Sequence, residues 1–143
     1  VEVYRRLGQD YGLPILLVKD LRYFYPASYA GSIETKPYDA AVAAACAEGH
    51  PVFDIVKETP WDRRTDAATA YRAMFEEIPA GLTYLALHFN QPGDFEFINP
   101  SDAHLRTEEY ALFRTELIAG WVRELGLEII GMRGLRDELR AQA

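Results

Sequence analysis

Four short apolar runs, each introduced by turn residues and each followed by a stretch of helical periodicity, limit what this chain can fold into more than any other feature. Ile15 to Val18 follows Gly12-Leu13-Pro14, and Val52 to Val56 follows Gly49-His50-Pro51. Leu82 to Phe89 follows Pro79-Ala80-Gly81, and Leu127 to Met132 follows Gly126. A strand with one face in water alternates polar and apolar residues. These runs are nearly continuous in apolar residues, so both faces need cover, as in parallel strands flanked by helices. The order is βα repeated, which predicts an α/β fold with four parallel strands.

The helices between them carry their own signals. Tyr38 to Glu48 is rich in Ala, with Thr35 and Pro37 as start signals and Gly49 as the stop. Thr65 or Asp66 is placed to cap a helix running to about Glu77, in which Ala70, Met74, Phe75 and Ile78 form an apolar face. Thr107 is the expected cap of a helix in which Tyr110, Phe113, Leu117, Trp121 and Leu125 repeat every three or four residues, with Glu108 and Glu109 at its positive end. Val3 to Tyr11 reads as the end of a helix already under way, and Arg133 to Ala141 as a terminal one. The connections from Lys19 to Lys36 and from Asn90 to Arg106 exceed the length of ordinary turns, and each follows the C-terminal end of an expected strand. In α/β folds that is where ligands bind.

With 143 residues, the chain is read as one domain over residues 1–143. Its 15 Lys and Arg against 22 Asp and Glu give a formal charge of −7, which repels phosphate backbones and anionic headgroups, so neither nucleic acid nor membrane is an expected partner. Cys46 is the only cysteine, which excludes an intramolecular disulfide and favours a reducing, cytoplasmic setting. There is no run of about 18 apolar residues, the length a membrane helix needs.

Few residues can carry acid–base or metal chemistry. The histidines are His50, His88 and His104, none in a recognised metal spacing, and no dinucleotide fingerprint, P-loop or nucleophile elbow occurs. A flavodoxin-like domain fits the βα rhythm but lacks the phosphate loop after its first strand. His88 ends the most apolar run just where a long polar loop begins. It suits general acid or base work, or else serves as a half-buried histidine bonded to the loop. Asp54 sits in the middle of an apolar run, where an unpaired carboxylate is costly. It is either paired to an arginine such as Arg106 or used on a ligand. Arg106 is in turn a scaffold ion pair or a substrate clamp. Asn90, next to His88 at the start of the loop, joins Asp54 and Arg106 as a substrate-contact candidate. Asp102 and His104 read as loop-surface residues, and Cys46 as inert packing. Tyr23, Phe24, Tyr25 and Tyr29 either stack on sugar rings or tuck their loop onto the fold.

These residues also form a pattern. Pro79-Ala80-Gly81-Leu82-Thr83-Tyr84-Leu85-Ala86-Leu87-His88, a Pro-Gly-Asp loop, Arg106-Thr107-Glu108-Glu109-Tyr110 and Leu127-Glu128-Ile129-Ile130-Gly131 together resemble the C-terminal half of the YdjC-like (ChbG/HpnK) carbohydrate deacetylases, in particular their polysaccharide deacetylase-like members. Gly12-Leu13-Pro14-Ile15-Leu16-Leu17 and Pro51-Val52-Phe53-Asp54 resemble that family's middle strands, so the likeness extends over nearly the whole chain.

The resemblance implies four βα units of a distorted parallel (β/α) barrel of the polysaccharide-deacetylase type, incomplete here. It implies hydrolysis of the acetyl group of an acetylated amino sugar or oligosaccharide. A divalent metal ion, Mg or Zn, is expected in the full-length enzyme, held by one Asp and two His, with a carboxylate as base and a His as acid. His88 matches the family's late histidine, although the family's His-Pro-Gly is here the longer His88-Phe89-Asn90-Gln91-Pro92-Gly93. The family's Asp-Asp pair and its Thr-His-x-Asp-x-His segment do not occur. No metal is therefore expected on this chain. The absent initiator Met and the opening in mid-helix point to a fragment that is inactive alone and completed by a missing N-terminal half or a homo-oligomer partner. The alternative is a stand-alone, non-catalytic α/β module that binds a small sugar-like ligand or a protein partner.

Overall fold

The structure, a computed structural model, describes residues 1–23 and 35–141; Phe24, Tyr25 and Tyr29 of the aromatic loop lie outside the described residues. The fold is α/β with two small parallel two-stranded sheets. The chain gathers into two compact units, one of residues 1–56, 80–84 and 130–143 and one of residues 57–79 and 85–129.

In the first unit, α1 (Glu2–Tyr11) ends at Gly12, whose φ of 57° is the left-handed conformation a glycine stop supplies without strain. β1 (Leu17–Val18) lies parallel to β2 (Val52–Phe53), with Leu17 opposite Val52 and Val18 opposite Phe53. α2 (Thr35–Ala47) packs its buried Tyr38 and Ala45 against Ile15 and Leu17. The Tyr38 hydroxyl donates to Val18 O at 2.6 Å and accepts from Val18 N at 3.1 Å, so a helix side chain completes the hydrogen bonding of a two-residue strand. Burial pushes the Tyr38 phenol above its ordinary range. From α7 (Met132–Ala141), Arg140 donates to the terminal carbonyls of α1, Nε to Gly12 O at 3.0 Å and Nη2 to Tyr11 O at 3.2 Å. A cation at that negative helix end is stabilising.

In the second unit, α3 (Ala67–Glu76) starts at Asp66, whose carboxylate accepts from Thr69 N at 2.9 Å; the cap expected at Thr65 or Asp66 is Asp66. Tyr71 and Phe75 of α3 form the core with Ala67, Leu112 and Ile118, and Leu85, Leu87, Phe113 and Trp121 pack around them. Arg72 spans Glu76 and Glu124.

β3 (Ile55–Glu58) pairs with β4 (Thr83–Ala86) in the second sheet. The expected second strand is thus two, divided at Asp54. There Asp54 N donates to Leu82 O, and the Asp54 carboxylate accepts from Leu82 N, both at 2.8 Å.

Two expectations need correction. Thr107 caps nothing. The turn Asn99-Pro100-Ser101-Asp102, tied by Asn99 Nδ2 to Asp102 at 2.8 Å and Ser101 Oγ to Asn99 Oδ1 at 2.7 Å, starts the helix five residues earlier, with Asp102 in the cap position. After the short α4 (Phe95–Ile98), α5 (Ala103–Phe113) breaks at Arg114-Thr115 before α6 (Glu116–Glu124) begins. The expected apolar period slips at that break: Leu117 is 50% exposed and Ile118 is buried in its place, while Phe113, Trp121 and Leu125 pack against the core. The fourth run, Leu127 to Met132, is not a strand among the described residues. It finds no ladder partner, Ile129 is 75% exposed, and Met132 already opens α7. An apolar run becomes a strand only beside a neighbour that takes its N–H and C=O groups. Among the described residues no helix is long and apolar enough to cross a membrane.

Candidate functional site

Three elements of the second unit meet at one buried carboxylate. Glu109, on α5, is wholly buried, as is Tyr71 on α3, and Thr59, just past the end of β3, is 1% exposed. His88 lies two residues beyond β4 and is half-buried. The Thr59 hydroxyl donates to Glu109 Oε1 at 2.6 Å, and the Tyr71 hydroxyl donates to the same oxygen. The backbone N–H of His88 donates to Glu109 Oε2 at 2.6 Å. Thr59 Oγ1 is also 2.9 Å from His88 Nδ1.

Counting protons fixes the direction of this chain. Both oxygens of Glu109 act as acceptors, the role of a carboxylate. Thr59 has one hydroxyl hydrogen and gives it to Glu109, so toward His88 it can only accept. Nδ1 must then carry a hydrogen, and Nε2 is left as the nitrogen that takes up and releases the exchangeable proton. Nε2 has no protein partner among the described residues and is not sealed from solvent. Burial, with the Glu109 carboxylate beside it, pushes the Tyr71 phenol well above its ordinary range and keeps it a donor.

Trp61 connects the other parts of the site. Its ring centroid is 4.7 Å from that of His88, and the Arg106 guanidinium lies 5.1 Å from the centre of the indole and 4.8 Å from the ring of Phe95. Asn90 N donates to Arg106 O at 3.4 Å, whereas the Asn90 side chain is turned onto its own loop, Nδ2 to Gln91 O at 2.7 Å.

Of the four residues expected from sequence, His88, Asn90 and Arg106 are therefore in one unit and share a neighbourhood. Asp54 belongs to the other unit, where its carboxylate binds Lys19 Nζ and the Leu82 N–H. Lys19 first, and that N–H second, hold the Asp54 carboxyl below the usual range. The suggested Asp54–Arg106 pair is not made, and Arg106 has no ion pair among the described residues. His104 is exposed, and Asp102 accepts from Asn99. Cys46, expected as packing, is exposed on α2.

Thr59, Trp61, Tyr71 and Glu109 were not singled out as site residues. Glu109 did carry a signal, since Leu105, Glu109 and Leu112 fall on one buried stripe of α5, and a carboxylate among apolar neighbours must be held by donors.

Among the described residues no group of three or more His, Cys, Asp and Glu side chains is placed to hold a metal ion, so the divalent ion implied by the resemblance does not fit them. The chain matches no protein-family model, and no curated protein matches it.

Proposed function

We propose that the chain is the proton-donating part of a carbohydrate deacetylase, in which His88 protonates the leaving nitrogen of an N-acetyl amino sugar. The observation that supports this is the grip on His88: Thr59 at Nδ1 and Glu109 at the backbone N–H leave Nε2 alone to exchange protons. In the hydrolysis, water gives one proton to a base supplied by residues other than those described and adds its oxygen to the acetyl carbonyl carbon; the C–N bond then breaks, and its electron pair goes to nitrogen. The proton that nitrogen needs comes from Nε2, the products being the free amine and acetate. Thr59 and Glu109 hold the ring and accommodate its charge while that proton is held. The parallel βα units belong, on this reading, to an incomplete barrel of the polysaccharide-deacetylase type, and the groups that activate water come from residues other than those described. The chain alone is then inactive.

The test is acetate release from N-acetylglucosamine oligomers with added Mg²⁺, Zn²⁺ or Co²⁺. It compares this chain, the protein of the full reading frame, and that protein with His88→Ala. Release by the full protein, reduced by about 10²-fold or more in the variant, supports the assignment, that being the usual worth of a positioned acid. Release unchanged by the substitution removes His88 from it, and no release from a folded, metal-loaded full protein removes the deacetylase reading.

A second reading, a non-catalytic module that pairs with a second copy of itself, is favoured by the apolar row on α1, where Val3 is 75%, Leu7 49% and Tyr11 66% exposed. A mass in solution that stays monomeric at all concentrations excludes it.

A further inference from the structure

We propose that Arg106 is the receptor for a carboxylate on the ligand. Among the described residues the partly buried arginines Arg5, Arg63, Arg72 and Arg136 each meet an Asp or Glu. Arg106 meets none among the described residues and is instead set against two aromatic rings, Trp61 at 5.1 Å and Phe95 at 4.8 Å. Its Nε is sealed from solvent without an acceptor. Its two terminal nitrogens also lack an acceptor among the described residues but keep contact with solvent.

A guanidinium stays charged at any physiological pH, and stripping its water without supplying an acceptor is costly. The aromatic faces recover part of that cost by attraction to the cation. They do not take the place of hydrogen-bond acceptors, however, and the N–H donors stay unfilled among the described residues. The open edge, two parallel N–H groups, matches an acceptor with two oxygens in one plane.

That description fits a carboxylate better than a phosphate. Glu109, whose carboxylate has no cation bonded to it among the described residues, lies one turn further along the same helix, so repulsion grows with each extra negative charge a ligand brings. Because Trp61 touches both Arg106 and His88, the carboxylate belongs to the same ligand on which His88 acts. Joined to the proposed function, on which the sugar part of this inference rests, the substrate class is an acidic glycan in which an N-acetylhexosamine neighbours a uronate.

Calorimetric titration of this chain and of the full-reading-frame protein tests it with three probes: a disaccharide of glucuronate and N-acetylglucosamine, N,N′-diacetylchitobiose, and inorganic phosphate. The uronate disaccharide is expected to bind about tenfold or more tightly than chitobiose, and phosphate not to displace it. Arg106→Gln is expected to abolish the difference. Arg106→Lys, which keeps charge and stem and so controls for folding, retains a reduced one. Equal affinities, no binding of the uronate, a preference surviving Arg106→Gln, or displacement by phosphate each overturns the proposal. Acetate release from chitobiose without any carboxylate preference removes this subsite and leaves the deacetylase reading. A carboxylate preference with no acetate release does the opposite.

Discussion

Two carboxylates, one in each compact unit, are held in opposite ways. Asp54 is 31% exposed, pairs with the 58% exposed Lys19, and receives the N–H of Leu82. Glu109 is wholly buried and receives two hydroxyls and a backbone N–H, with no cation bonded to it among the described residues. A surface pair exchanges bonds to water for bonds to protein with little net gain. A buried carboxylate that takes up three donors binds three segments together, and its loss deprives all three of that acceptor. The first arrangement holds a strand junction, and close by. Gly81, at a φ of 122°, leaves the space where a Cβ would stand 2.4 Å from Asp54 Oδ2. The second orients a histidine ring.

The largest effect that can break this contrast comes from Glu109→Leu. The Tyr71 hydroxyl and the His88 backbone N–H then have no acceptor, Thr59 is left only His88 Nδ1 to donate to, and each orphan costs about 1–3 kcal/mol. A stability loss of about 3 kcal/mol or more is expected in urea denaturation followed by the fluorescence of Trp61 and Trp121. Glu109→Gln, which keeps one acceptor oxygen, should lose less. If the Leu variant is as stable as the parent, the buried carboxylate does not hold the unit together and the contrast with Asp54 is empty.

How much of this could be read from residues alone follows from the same contrast. The α/β class, the Asp66 cap and part of the apolar face of α3 are local, each depending on residues three or four apart; Met74, Phe75 and Ile78 belong to that face, but its centre is Ala67 and Tyr71 rather than Ala70. His88, Asn90 and Arg106 stood out because residue type and a position after an apolar run suffice to mark them. The carboxylate that holds His88 comes from 21 residues further on and the hydroxyl from 29 residues before, pairings that no local period encodes. The stranded fourth run failed for a related reason. Leu127 to Met132 has the composition of a strand, but a ladder is a property of two segments, and its partner cannot be inferred from one.

An intermediate effect is expected from Thr59→Val, which removes the hydroxyl while keeping the side chain's outline. About 1–2 kcal/mol of stability should be lost, since Glu109 loses one donor of three. The sharper readout is the ring itself. In nitrogen–proton correlation spectra, neutral His88 should carry its hydrogen on Nδ1 in the parent and lose that preference in the variant, because no acceptor remains to select the tautomer. A parent ring that carries its hydrogen on Nε2 would mean that Thr59 donates toward Nδ1 instead of accepting from it, which reverses the proton chain.

The smallest effect belongs to Asp54→Asn. The amide oxygen still accepts the Leu82 N–H, so only the attraction to Lys19 is removed. For a pair this exposed that is worth about 0.5–1 kcal/mol near neutral pH, and less in high salt. Its pH dependence has a fixed sign. Lys19 and the Leu82 N–H lower the folded-state pKa of Asp54, so its contribution is complete above the unfolded value near 4 and disappears as pH falls through the lower folded value. Parent and variant should therefore differ at pH 7 and converge in acid. A gap that persists in acid would mean that the lost stability came from something other than the ion pair. If the proposed acetate release is found, a fall in it far beyond that small loss would instead make Asp54 a residue that touches substrate, and the two carboxylates would then differ in how they are held without differing in whether they serve that chemistry.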